Sequence, residues 1–232
     1  LLFINVVFLC LSLSESLSKI AMTISIHNHG LPFQSHDLYD VTFDDEEIET
    51  LVTHCPSMVK AWINNTEISN RRRLHRLIIG LDAEWRPNFN GDSNPVAILQ
   101  LCVGRSCLIF QLIYAPRIPR CLRDFLKNPN YTFVGVGIDG DVDRLWDDYD
   151  LEVSNTVDLR GLAARELGAR HLRNAGLKQL AREVLGKEFE KPRNVTLSKW
   201  DKAWLTDAQV AYACVDAFLS YKIGRRLNAS TY

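Results

Sequence analysis

Between residues 76 and 112 the chain reads RLIIGLDAEW, a turn-rich loop RPNFNGDSNP, then VAILQLCVG and CLIFQL. Three apolar runs of strand length, bounded by Gly, Pro, Asn and Asp, leave little choice of structure. They predict neighbouring strands, and the short connection between the last two predicts an antiparallel meander. The first run is apolar on both of its alternating faces until it reaches Asp82 and Glu84. Strand periodicity of two puts those carboxylates on the same face at the end of a central strand. Two like charges buried together repel, and each drives the pKa of the other upward. A hard cation between them removes the conflict; the alternative is that the sheet ends at Asp82 and Glu84 stands in solvent.

The rest of the chain surrounds this hairpin with alternating elements. TISIHNHG and LYDVTFDD read as edge strands, and EEIETLVTH with PSMVKAWIN as a helical stretch. After the meander come a helix in IPRCLRDFLKN, a strand in YTFVGVGI and a helix in GDVDRLWDDY. An all-helical C-terminal third follows, broken at GKEFEKPRNVT. Strands followed by a strand-helix alternation predict an α/β fold, a mixed central sheet flanked by helices.

Two further places put acids where a core is expected. LTDAQVAYACVDAFLSYKIGRRL predicts one long helix opened by a capping box of Thr206 and Gln209. Tyr212 and Asp216 stand at i and i+4 and share a face, where they form either a structural hydrogen bond or part of a site. In GVGIDGDVDRLWDDY a strand passes into a helix whose dipole stabilises acids without any metal. Its predicted core face is Val142, Leu145, Trp146 and Tyr149. Periodicity alone does not choose among Asp139, Asp141 and Asp143.

Composition limits the classes open to such a chain. Its 232 residues are 47% hydrophobic and 24% charged, enough for one domain with a sizeable core. A net charge of −1 argues against nonspecific coating of DNA, so any nucleic acid must be met by local basic patches. The six cysteines show neither CxxC nor zinc spacing, which fits a reducing compartment, nuclear or cytoplasmic. Residues 1–21 are too short in apolar length for a membrane span and lack the basic start and cleavage site of a signal peptide. They read as an extension or artefact ahead of Met22, with residues 22–232 as a single domain and no membrane association.

The succession of D-x-E on a strand, D at a strand-to-helix turn and Y-x3-D on a late helix resembles the DEDDy 3′→5′ exonucleases of the RNase D superfamily. GLDAEWRP, VAILQLCVG, FVGVGIDGDVDRL, AGLKQLAREVLGKE and SKWDKAWLTDAQVAYACVDAF carry the resemblance, over about residues 74–227. They are most similar to the Werner syndrome-type exonuclease domain in its short plant form without a helicase. The resemblance implies an RNase H-like fold and a metal-dependent 3′→5′ exonuclease, with DNA favoured as substrate. It also selects Asp141 as the third acid. It implies two Mg2+ or Mn2+ ions, Asp82 bridging both, Glu84 and Asp216 completing the first, Asp141 holding the second through water, and Tyr212 attending the nucleophilic water.

Substrate contacts are expected from two basic stretches and one aromatic. Arg71, Arg72 and Arg73 precede the acid-bearing strand, Lys187, Lys191, Arg193 and Lys199 precede the last helix, and Trp85 adjoins Glu84. Each is also open to a plainer role, as solvated loop charge or core packing. The family suggests a RecQ-type helicase on a separate chain as partner. A different class is open on the same fold, a catalytically weak or inactive module that binds nucleic acid or a partner.

Overall fold

The computed structural model describes residues 24–32, 34–88 and 94–231. The extension 1–21, Cys10 and Met22 lie outside the described residues, as does the middle of the loop that follows Trp85. Eight strands form one sheet: β1 (Ile24–Asn28), β2 (His36–Phe43), β3 (Glu46–Thr53), β4 (Leu77–Trp85), β5 (Val96–Val103), β6 (Ser106–Phe110), β7 (Tyr131–Gly135) and β8 (Thr156–Asp158). Their spatial order is β1-β2-β3-β6-β5-β4-β7-β8. The meander β4-β5-β6 is antiparallel as expected, while β3 runs parallel to β6, and β7 parallel to both β4 and β8. The sheet is therefore mixed.

Seven helices accompany it among the described residues: α1 (Pro56–Asn70), α2 (Arg120–Leu126), α3 (Ile138–Tyr149), α4 (Leu159–Glu166), α5 (Leu177–Leu180), α6 (Arg193–Thr196) and α7 (Asp207–Arg226). Every residue of β5 is buried, which requires cover on both faces. Neighbouring positions show which helix lies on which side. On α1, Trp62 donates its indole N–H to Ser106. Cys107 pairs in register with Thr50, whose hydroxyl donates to Cys214 of α7. Since adjacent residues on a strand face opposite ways, α1 and α7 occupy opposite faces of the sheet.

Three expectations need correction. EEIETLVT is a strand, not a helix: Ile48, Leu51 and Val52 mimic helical spacing, yet β2 and β6 satisfy this backbone from both sides. The C-terminal third is not wholly helical, because β8 extends the sheet beyond β7. Trp146 is 52% exposed and leaves the face of α3 to Leu145, with Val142 and Tyr149 half-buried against the core. The capping box of Thr206 and Gln209 forms as expected. The cysteines of the described residues are free thiols. No helix of the described residues is long and apolar enough to cross a membrane.

Candidate active site

The site forms where β4 meets α7, and a glycine determines how closely they meet. A Cβ at Gly80 would lie 1.9 Å from the carbonyl oxygen of Ala217, so only glycine lets the helix backbone settle onto the strand. Gly80, Asp82 and Glu84 alternate onto that same face. The close approach at Ala217 brings its neighbour Asp216 beside the strand carboxylates. A register shift between Glu84 and Trp85 bends the strand end at the point where Glu84 turns inward. Ligand oxygens of Asp82, Glu84 and Asp216 consequently lie within 4.8 Å of one another.

Each carboxyl carries the mark of this crowding. Burial, then Asp141, Asp216 and Glu84, push Asp82 well above the usual carboxylate range. Burial and Asp216 raise Glu84 to about 8, against the pull of Lys191. Asp216 is raised by burial and pulled back by Lys191, whose Nζ sits 2.7 Å from its Oδ2. Its Oδ1 is buried and has no hydrogen-bond partner. A buried carboxylate oxygen without a partner, on a residue that converges with two other acids, fits a hard divalent cation, which takes oxygen ligands.

Tyr212 stands one helical turn before Asp216, nearly buried and packed 5.8 Å from Trp200 between ring centroids. Its hydroxyl accepts a hydrogen bond of 3.2 Å from Thr196 of α6. Burial, then Asp216, push its pKa up to about 12. Lys191 lies 4.8 Å above its ring. Burial alone would lower the Lys191 pKa, but Asp216, Tyr212 and Asp82 outweigh it and hold the ammonium above its ordinary value.

The three acids of α3 differ in exposure. In α3, Asp139 and Asp143 face solvent and Asp141 is buried. Gly137, in the left-handed region at φ 74°, turns the chain from β7 into this helix. Backbone N–H of Val96 donates to Asp148 at 2.7 Å and the Tyr149 hydroxyl donates to the Val96 carbonyl at 2.6 Å, tying α3 to β5. Burial raises Asp141 to about 7, with Arg144 opposing and Asp158 assisting. Asp141 stands outside the close trio but raises the pKa of Asp82.

The residues expected to touch substrate are dispersed. Arg71, Arg72 and Arg73 follow α1 and precede β4, and Asp82 lies five residue steps along the strand from Leu77, about 16 Å. Lys187 pairs with Asp44 and, at 3.8 Å, with Asp45. Trp85 has Arg144 stacked 4.0 Å from its ring centre. Arg193 and Lys199 are exposed, and Lys199 lines a cleft of about 420 Å3 together with Arg86, Asn94 and Ser198. Lys191 belongs to the acid cluster, a position that sequence reasoning missed. Gln100 was missed too: it pairs in register with Asp82 and is fully buried, with neither amide atom partnered. Its signal was a lone amide in the apolar run VAILQLCVG.

Comparison with known proteins shows the family. The family model of the 3′-5′ exonuclease domain matches residues 53–231, which include all five site residues. A 3′-5′ exonuclease of Arabidopsis thaliana is 33% identical over 147 residues, 62% of this chain and 50% of that protein. The bifunctional 3′-5′ exonuclease/ATP-dependent helicase WRN of Mus musculus is 33% identical over 152 residues, 65% of this chain and 11% of that protein. The chain thus matches half or less of the length of these relatives. RNase D of Escherichia coli shares the fold with a TM-score of 0.59 at 19% identity, over 74% of this chain and 43% of its own. The mixed sheet with its flanking helices is accordingly RNase H-like, and the chain belongs to the 3′-5′ exonuclease family.

Proposed function

We propose that this chain hydrolyses phosphodiester bonds from the 3′ end of nucleic acid, DNA in preference to RNA, at a site for two Mg2+ or Mn2+ ions. The observation that carries the reading is the convergence of Asp82, Glu84 and Asp216 oxygens within 4.8 Å, with Asp216 Oδ1 left without a partner. Asp82, Glu84 and Asp216 are the ligands of this arrangement, and Asp141 is the acid nearest to completing it. Bound there, divalent ions supply Lewis acidity that lowers the pKa of the attacking water and offsets charge on the leaving 3′ oxygen. Tyr212 keeps its proton at neutral pH, since its pKa stands at about 12. With its proton in place the phenol orients the attacking water through a hydrogen bond. Thr196 holds the phenol by donating to its oxygen.

Exposure of Lys199 and Arg193 supports their reading as groups that hold backbone phosphates. The likeness to a bifunctional exonuclease and helicase supports a RecQ-type helicase as partner. Labelled DNA and RNA, single-stranded or with recessed 3′ ends, test the reading. Stepwise loss of 3′ nucleotides in Mg2+, abolished by EDTA and faster on DNA, is the expected result. Absence of cleavage on every substrate would return the chain to a binding module.

A further inference from the structure

Among the described residues the acid trio is touched by one cation, and that cation belongs to the protein. Lys191 Nζ reaches Asp216 Oδ2 at 2.7 Å, and its charge also acts on Asp82 and Glu84. The side chain is 27% exposed and lies against the Tyr212 ring, whose face attracts a cation. It comes from residues 186–192, which form neither helix nor strand, so no ladder of backbone hydrogen bonds fixes it in place. Lys191 satisfies only half of Asp216, since Oδ1 remains orphaned.

We propose that Lys191 is a positioning residue that serves as the resident counter-cation of the acid cluster, holding it together until divalent ions load and yielding Asp216 to them. The inference rests on the reading of this cluster as a divalent-cation centre. A divalent ion on these carboxylates sits about 2.1–2.5 Å from an Asp216 oxygen. The ammonium at 2.7 Å from the other oxygen would then lie within a few ångströms of a double positive charge. Repulsion between the two is twice that of a pair of unit charges at the same separation. A single charge-assisted hydrogen bond does not offset it. Two consequences follow with opposite signs. In chelator Lys191 stabilises the fold, because three carboxylates without it have no neutralising partner. Toward metal it is a competitor, so its removal tightens binding.

The test is calorimetric titration of Mn2+ into the wild-type chain, Lys191→Gln and Lys191→Arg, with thermal denaturation of each in EDTA. Lys191→Gln is expected to bind Mn2+ about tenfold tighter or more and to melt lower in EDTA, while Lys191→Arg stays close to wild type in both. Unchanged or weaker Mn2+ binding by folded Lys191→Gln overturns the inference and leaves the metal site intact. A wild-type chain that binds no Mn2+ overturns both. Should Lys191→Gln not fold, acetylation of Lys191 in the wild-type chain, followed by mass spectrometry, decides. Mn2+ should make Nζ more reactive as it leaves Asp216, and equal or greater protection counts against the proposal.

Discussion

Glu46 and Glu84 are both half-buried glutamates at the ends of strands in one sheet, and their environments move them in opposite directions. Lys222 donates to Glu46, Arg105 Nε donates to it at 2.9 Å, and these cations hold its carboxyl below the ordinary value despite burial. Glu84 meets Asp216 and Asp141 with only Lys191 to oppose them, and rises to about 8. Burial raises both and is the largest cause at Glu84, the more deeply enclosed of the two. Charge balance then adds to the difference: one glutamate closes an ion-pair network, and the other belongs to a set of acids in excess of its cations. An excess of this kind persists in a folded protein when something outside the chain completes it.

Removing an acid from each cluster should therefore have opposite effects. Asp82→Ala or Asp216→Ala is expected to reduce cleavage to background, because each removes a metal ligand. In EDTA Asp82→Ala should leave the melting temperature equal or higher as repulsion is relieved, whereas Asp216→Ala strips Lys191 of its partner and should lower it. Glu46→Ala should leave turnover unchanged and lower the melting temperature by about 2–4 °C, as a loss of ~1 kcal/mol does in a chain of this size. A cleavage assay beside a thermal melt reads both. Active, folded Asp82→Ala would break the comparison. Next in size is Tyr212→Phe, expected to slow turnover roughly 10- to 1000-fold while Mn2+ affinity stays the same. Equal turnover would leave Tyr212 as packing against Trp200.

How much of this was legible depended on whether a signal was local. The acid strand, the meander and the Tyr212–Asp216 face were readable because strand and helix periodicities of neighbouring residues fix them. EEIETLVT misled because Ile48, Leu51 and Val52 sit at helical spacing, and only its sheet partners decide otherwise. Periodicity could not choose among Asp139, Asp141 and Asp143, and only the resemblance picked Asp141; their exposures depend on how α3 docks onto β5. Lys191 lies 25 residues before Asp216, in a segment without periodicity, and no pattern in the sequence announces that ion pair. Conversely, the arginine run 71–73 was conspicuous in sequence and stands at the far end of β4.

That last contrast yields a smaller test. Lys199→Ala should lower the magnitude of the salt slope of substrate binding by about one unit, because one phosphate is no longer neutralised, with little change in turnover at saturation. Changing Arg71, Arg72 and Arg73 together to Ala should alter the slope less than that single change, given the length of strand between them and Asp82. Binding measured across a salt series decides. A drop approaching about three units in the triple variant would put substrate along the whole of β4.

The finest test returns to the two glutamates, through the dependence of stability on pH in EDTA. Glu84 titrates from an ordinary 4.5 to about 8 in the fold. Between those values the folded chain binds more protons than the unfolded chain, so stability falls as pH rises through that window. Asp141, raised to about 7, adds to the same slope. Glu46 behaves in reverse. Its folded pKa lies below 4.5, so the stability it contributes is present above 4.5 and is lost as pH falls through the folded value. Melting temperatures followed from acid to about pH 8.5 should thus decline on both sides of a maximum near mildly acidic pH. Glu84→Gln should flatten the alkaline side and spare the acid side, and Glu46→Gln should do the converse. If Glu84→Gln leaves the alkaline side as steep as before, the excess of negative charge resides in Asp82, Asp141 and Asp216, and Glu84 is better neutralised by Lys191 than its position implies.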